Sequence, residues 1–128
     1  MDKLDTIFEE QRKFEEKLGY NFDDMSLEER VAYIKEYVLH CEHELHEMLQ
    51  ELPYFKPWKQ YDENIGFANA SAEFADALHF FINVAIALGF SAESLAAAYK
   101  NKLSINHMRQ TQQEYKPCVE VTDEATRS

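Results

Sequence analysis

The chain has 128 residues, of which 45% are apolar, and its 13 basic residues stand against 24 acidic residues, giving a formal net charge of −11. This length fits one domain with a core, and no tract reaches the roughly 18 uncharged apolar residues of a membrane-spanning helix. The acidic balance excludes nonspecific nucleic-acid binding, which needs clustered Lys and Arg, and favours a cation as a partner. Two cysteines and the lack of a leader-like N-terminus predict a cytoplasmic protein with no membrane partner.

The chain contains only three glycines and three prolines, the residues that most often interrupt helices. The long intervals between them predict an all-helical fold. The first helix is predicted over Met1–Leu18, with Gly19 just past its end. The second helix is predicted to begin after Ser26, which forms a capping box with Glu29, and to stop at Pro53.

An aromatic loop is predicted between Pro53 and Gly66, and it leads into a third helix over Asn69–Leu88. The third helix is apolar nearly all round, so we expect it to be central and buried. A fourth helix is predicted over Ala92–Tyr115. The predicted domain organisation is a single helical domain, 1–116, and a flexible polar tail, 117–128.

Two acidic pairs occupy the second and third predicted helices. Glu44 and Glu47 lie one turn apart, as do Glu73 and Asp76, and Asn83 follows on the same side of the third helix. Such like charges repel, and a carboxylate in an apolar helix is costly unless it is paired or binds a metal ion. Converging oxygen ligands suit Mg²⁺, which is typically bound together with substrate phosphates. For Glu44 and Glu47 alone, a solvated helix face is the alternative.

The fourth predicted helix places Tyr99, Lys102, Asn106 and Arg109 on one face, at spacings of three, four and three residues. Arg offers two donors to a phosphate and Lys offers a point charge, so this face can clamp a polyphosphate. The alternative is an ordinary solvated helix face.

Two aromatic side chains have both a structural and a functional interpretation. Trp58, together with Phe55, either stacks on a base or covers the core, and covering the core is the preferred interpretation. His79, beside Phe80 on the third helix, is expected to be a core histidine rather than a general base.

These motifs resemble those of the all-α nucleoside triphosphate pyrophosphohydrolase superfamily, which includes the MazG-like proteins. Within it the closer resemblance is to the dimeric dUTPases and their phage relatives. The resemblance covers most of residues 4 to 115. It rests on the two acidic pairs, on Phe55-Lys56-Pro57-Trp58-Lys59, on Asp76-Ala77-Leu78-His79-Phe80-Phe81, and on Lys102, Asn106, Arg109, Gln110 and Tyr115.

The resemblance implies a four-to-five-helix bundle that hydrolyses a deoxynucleoside triphosphate, most simply dUTP, to the monophosphate and pyrophosphate, with Mg²⁺ or Mn²⁺ as cofactor. It also implies a homodimer or a MazG-like tetramer in the cytoplasm of a bacterium or a phage-infected host. The implied catalytic residues are Glu44, Glu47, Glu73, Asp76, Lys102 and Arg109, and the four acids among them are the implied metal ligands. The implied substrate-binding residues are Gln11, Glu15, Lys56, Trp58, Lys59, Phe80, Asn83, Tyr99 and Asn106.

The chain departs from the resemblance where many dimeric dUTPases have a Gln followed four residues later by an Asn that reads uracil. Here Gln11 is followed by Glu15. An ionised carboxylate only accepts hydrogen bonds, so it suits uracil N3–H, the cytosine amino group, or the N1–H and amino group of guanine. A pyrophosphohydrolase for dCTP or dGTP is therefore an alternative, and a non-enzymatic helical interaction module is a further one.

Overall fold

The computed structural model describes residues 2–59 and 62–113, and within these residues it contains helices and no strand. The all-α prediction is confirmed. The tail predicted at 117–128 lies outside the described residues, and the single-domain boundary stays a prediction. The helices are α1 (Lys3–Lys17), α2 (Leu27–Glu51), α3 (Glu63–Ala87) and α4 (Ala92–Gln113), and a 3-10 turn spans Phe22–Asp24.

The predicted helix ends agree with the structure at three positions. Ser26 and Glu29 form a reciprocal capping box at the start of α2, since the Glu29 amide donates to Ser26 Oγ at 3.1 Å and the Ser26 amide to Glu29 Oε1 at 2.9 Å. Gly19 and Gly89 follow α1 and α3 with φ of 97° and 100°, a left-handed conformation that glycine adopts without strain. An unpredicted capping box between Asp2 and Asp5 starts α1.

The third helix begins at Glu63, six residues before the predicted start at Asn69, so placing Gly66 in the preceding loop was wrong. Gly66 lies inside α3 where the helix passes the end of α2. A Cβ atom at this position would lie 2.7 Å from the Glu51 carbonyl oxygen and 3.3 Å from Pro53 Cδ. This glycine therefore permits a close helix contact rather than ending a helix.

Helices α2 and α3 form an antiparallel pair in the unit Met1–Ala92. The Arg30 guanidinium, at the start of α2, donates to the Ala87 carbonyl at the end of α3 at 3.0 and 2.7 Å. At the opposite end, Asn69 Nδ2 donates to Glu51 Oε2 at 3.2 Å. Helix α1 packs on this pair, and the second unit begins at Glu93 and contains the rest of α4. The buried apolar residues are Phe8, Phe22, Tyr33, Tyr37, Ala70, Ala77, Ile82, Ala85, Ile86, Ala87 and Ala92.

The expectation that the third helix is buried nearly all round was wrong. Phe67, Phe74 and Phe81 on α3 and Leu88 at its C-cap recur every seven residues, and each is more than half exposed. The residues of α3 that are buried instead are Gly66, Ala70, Ala77, Ile82, Asn83, Ala85, Ile86 and Ala87. The stretch Asn64–Ala87 is long and apolar enough to cross a membrane, which the sequence analysis did not anticipate. A core helix passes the same test, and the pairing of α3 with α2 supports that interpretation.

Candidate active site

Acidic side chains from α2 and α3 meet where the two helices pack. Glu44, Glu73 and Asp76 each offer a carboxylate oxygen, and the three oxygens lie within 4.8 Å of one another. Glu44 and Glu73 are half-buried, whereas Asp76 is exposed. The antiparallel pairing of the helices brings Glu44 opposite the i, i+3 pair of α3. Three hard oxygen donors at this spacing fit a divalent cation.

The close approach of these acids affects the pKa of Glu73. The pKa of Glu73 is raised above its usual value because the Glu73 carboxyl is hydrogen-bonded to the Glu44 carboxylate, and burial and the charges of Asp76 and Glu51 raise it further. A proton shared between two acids relieves the repulsion that a bound cation would otherwise neutralise. The donor set and its repulsion thus both fit a metal site.

Glu47 is not part of this group of three. Its Oε1 atom lies 3.4 Å from His43 Nε2, one turn earlier on the same helix, and the side chain is half-buried. The i, i+4 contact directs the carboxylate along α2 rather than toward α3. Its predicted role as a metal ligand therefore stays a prediction.

A cavity of about 320 Å³ lies beside the acidic group and is bounded by α1, α2 and α3. It brings together residues that are far apart in the sequence, including four of the predicted substrate-binding residues on α1 and α3. These predicted residues are Gln11, Glu15, Phe80 and Asn83. The other lining residues are Phe14, Leu18, Tyr37, Glu44, Asp76 and His79.

Glu15 is the most deeply buried acid described, with 1% of its surface exposed. The hydroxyl of Tyr33 on α2 donates a hydrogen bond to Glu15 Oε1 at 2.7 Å. Burial and the hydrogen bond to Glu15 raise the pKa of Tyr33, so the hydroxyl keeps its proton and remains a donor at neutral pH. This interaction supplies the hydrogen bond that a buried carboxylate requires.

Asn83 is the second buried polar residue on the cavity wall, with 2% of its surface exposed. Its Oδ1 atom has no hydrogen-bond partner. Buried amide oxygens are normally paired, so an unpaired one in a cavity wall is a group that a ligand can satisfy.

Comparison of the sequence with models of known protein families identifies the family of this chain. A family model described as dUTPase matches residues 3–89, more than half of the chain. The chain belongs to the dUTPase family. No curated protein and no solved structure gives a match. The dUTPase match spans α1 to α3 and includes every residue that lines the cavity, and it supports a nucleotide pyrophosphatase at the level of the family.

Helix α4 lies beyond the residues that the dUTPase family model matches. Lys102, Asn106 and Arg109 are exposed on α4, and Tyr99 is mostly exposed on the same helix. Their shared face follows from their spacing, and their predicted contacts with phosphate stay predictions.

The preferred interpretation of the loop after α2, in which Trp58 and Phe55 cover the core, was wrong. Trp58 is 81% exposed, and Phe55 is also exposed, so neither covers the core of the described chain. Lys56 is half-buried and Lys59 is exposed, and none of these loop residues lines the cavity described above. The match to the dUTPase family includes this loop, whose predicted substrate contacts stay predictions.

Sequence reasoning did not assign four of the lining residues to the site, namely Phe14, Leu18, Tyr37 and His79. His79 was expected in the core but is exposed on the cavity wall. Its spacing of three from Asp76 and four from Asn83 places all three on one helix face, and that signal could have assigned it. Tyr37 was missed because its local sequence does not distinguish a tyrosine that lines a cavity from one that packs in the core. Its ring lies 5.7 Å from that of Phe80, which builds the wall between α2 and α3.

Proposed function

We propose that the chain hydrolyses a deoxynucleoside triphosphate, with dUTP as the first substrate, to the monophosphate and pyrophosphate. The observation that carries this proposal is the convergence of Glu44, Glu73 and Asp76 at the edge of a cavity with buried polar walls. Membership of the dUTPase family supports the same reaction. Three carboxylates beside a pocket of this size suit a nucleotide whose phosphates arrive with a cation.

The proposed cofactor is Mg²⁺, for which Mn²⁺ substitutes, held by Glu44, Glu73 and Asp76. When bound, such an ion neutralises phosphate charge and increases the acidity of water. Glu47 is the proposed fourth ligand. It lies on the same face of α2 as Glu44, and a change of side-chain rotamer would exchange its contact with His43 for the cation.

The remaining polar residues have proposed roles in substrate binding. Lys102 and Arg109 on α4 bind phosphate oxygens and stabilise the charge that develops on the leaving pyrophosphate, with Asn106 and Tyr99 on the same face. Lys56 and Lys59 bind phosphate from the loop after α2, where Trp58 stacks on the sugar or base. The exposure of the Trp58 ring supports this role, because a large exposed aromatic side chain is available to a ligand.

We also propose that a second copy of the chain covers the exposed stripe of Phe67, Phe74, Phe81 and Leu88 on α3. A seven-residue repeat keeps apolar residues on one side of a helix, and an identical stripe on a two-fold partner is complementary to it. Light scattering should give a dimer that Phe74→Glu dissociates. A tetramer would indicate a second interface, and a wild-type monomer would contradict the proposal.

The cytoplasm is the proposed location.

The reaction is tested by measuring pyrophosphate release from each of the four common deoxynucleoside triphosphates and from dUTP, with Mg²⁺. Glu73→Gln should lower kcat/KM by on the order of 100-fold or more, since even changes beyond the direct ligands of a metal site cost about 10–100-fold. Glu42→Gln removes an exposed acid of α2 outside the group and should leave the rate unchanged. No pyrophosphate release from any nucleotide by the folded wild-type protein would refute the proposal and favour an interaction module.

A further inference from the structure

A second cavity, of about 470 Å³, lies between the turn after α1 and the first half of α2. It shares no lining residue with the cavity beside the acidic group. Tyr33 lies between the two cavities, because it lines the second while its hydroxyl reaches Glu15 in the wall of the first. The proposed hydrolysis uses none of the residues that line this second cavity.

Two tyrosines give the second cavity an aromatic wall. Tyr33 is 4% exposed and Tyr20 is half-buried, and their ring centroids lie 5.1 Å apart in an edge-to-face arrangement. Met25 and Ala32 add apolar surface beside the rings. Aromatic rings attract a cation through their electron-rich faces, and their apolar area can cover methylene groups. This wall therefore suits a cation that has an alkyl chain.

Every charged side chain that lines the second cavity is negative. These side chains are Asp24, Glu29 and Glu36, and none of the lining residues is basic. The Ser26 amide donates to Glu29 and lowers the pKa of its carboxyl, so Glu29 is ionised at neutral pH. The chain carries a formal net charge of −11, which adds a general attraction for positive ligands.

The spacing of these acids does not suit a single metal ion. Glu29 and Glu36 are seven residues apart on α2, which corresponds to about 10 Å along the helix axis. Within the part of the chain that the structure describes, the acidic group of Glu44, Glu73 and Asp76 is the one set of three whose oxygens converge. The acids of the second cavity are therefore arranged for several positive charges spread along one molecule.

We propose that the second cavity binds a linear polyamine, whose ammonium groups pair with Asp24, Glu29 and Glu36 and whose methylene chain lies on Tyr20 and Tyr33. Ammonium groups and short methylene segments alternate along a polyamine, and acids and rings alternate around the cavity in a matching way. A metal ion has no methylene chain to place on the rings. Binding at this site does not require the proposed hydrolysis.

The acidic contacts are tested by isothermal titration calorimetry with spermidine at constant ionic strength. We expect the wild-type protein to bind one spermidine per chain in a saturable manner. The double variant Asp24→Asn, Glu36→Gln should raise the Kd about tenfold, because each exposed ion pair contributes up to about fivefold. The double variant Glu73→Gln, Asp76→Asn is the matched control, since it removes the same charge outside this cavity, and it should keep the Kd.

The aromatic contact is tested at Tyr20. Tyr20→Leu should raise the Kd for spermidine about threefold, within the range of a cation over an aromatic ring. Tyr20→Phe keeps the ring and should keep the Kd, and circular dichroism checks that each variant is folded. Equal values for Tyr20→Leu and Tyr20→Phe would overturn the placement of the methylene chain on the rings.

Two results would overturn the polyamine site as a whole. One is the absence of saturable spermidine binding by the folded wild-type protein. The other is equal weakening by the two double variants, because spermidine would then respond to the net charge of the chain and not to this cavity. Either result would leave the proposed hydrolysis untouched, since that reaction is measured by pyrophosphate release.

Discussion

Replacing Tyr33 by Phe measures how much the buried hydrogen bond between Tyr33 and Glu15 contributes to the stability of the fold. The substitution removes one hydroxyl, which donates to Glu15 Oε1 at 2.7 Å, and keeps the shape of the ring. The hydroxyl is lost from a buried pair, since Tyr33 and Glu15 are 4% and 1% exposed. A hydrogen bond to a charged group contributes about 1.5–3 kcal/mol, so we expect the free energy of unfolding to fall by about 2 kcal/mol. For a chain of 128 residues, that loss lowers Tm by roughly 7 °C.

Urea denaturation followed by circular dichroism measures this loss directly. Tyr20→Phe serves as the control, because it removes a hydroxyl from the same ring cluster without removing a donor to Glu15. A bond between neutral groups is weaker, so the control should lose at most about 1 kcal/mol. A loss in Tyr33→Phe that is no larger than the control's would refute the assignment of Tyr33 as the donor that stabilises Glu15.

Two further predictions concern stability. Because the pKa of Glu73 is raised above its usual value of 4.5 in the folded state, metal-free stability should fall as pH rises from about 4.5 through that raised pKa. Glu73→Gln should flatten this decline in urea melts between these pH values, and an unchanged slope would argue against the repulsion. Gly66→Ala should lower Tm, since its Cβ would lie 2.7 Å from the Glu51 carbonyl oxygen. Helix propensity alone favours Ala by about 1 kcal/mol, so a raised Tm would show that the helices separate easily.

The sequence was sufficient for features that depend on near neighbours in the chain. Ser26 and Glu29 identify a capping box three residues apart, and Gly19 and Gly89 identify helix ends. Gly66 was misassigned because a glycine that permits close helix packing has the same local signature as one that ends a helix. Only the position of the Glu51 carbonyl distinguishes the two cases.

The candidate site was predictable where spacing along a helix decides which residues share a face. The pair of Glu73 and Asp76 follows from its i, i+3 spacing on α3, and the packing of α3 against α2 adds Glu44 to it. Tyr33 could not be assigned in this way, because its partner Glu15 lies eighteen residues away and depends on how α1 packs against α2. The exposure of Phe74 on α3 was missed for a related reason. When a helix is apolar on all sides, its sequence does not indicate which side packs against the rest of the chain and which side stays exposed.

Binding of Mn²⁺ to the three carboxylates is the most direct test of the central claim, and the EPR signal of free Mn²⁺ measures it without nucleotide. We predict that the wild-type protein and the Glu42→Gln control remove this signal as protein is added. The double variant Glu73→Gln, Asp76→Asn should leave the signal at the level of free Mn²⁺. Equal uptake of Mn²⁺ by the double variant, with its helical content retained, would contradict a metal site formed by Glu44, Glu73 and Asp76.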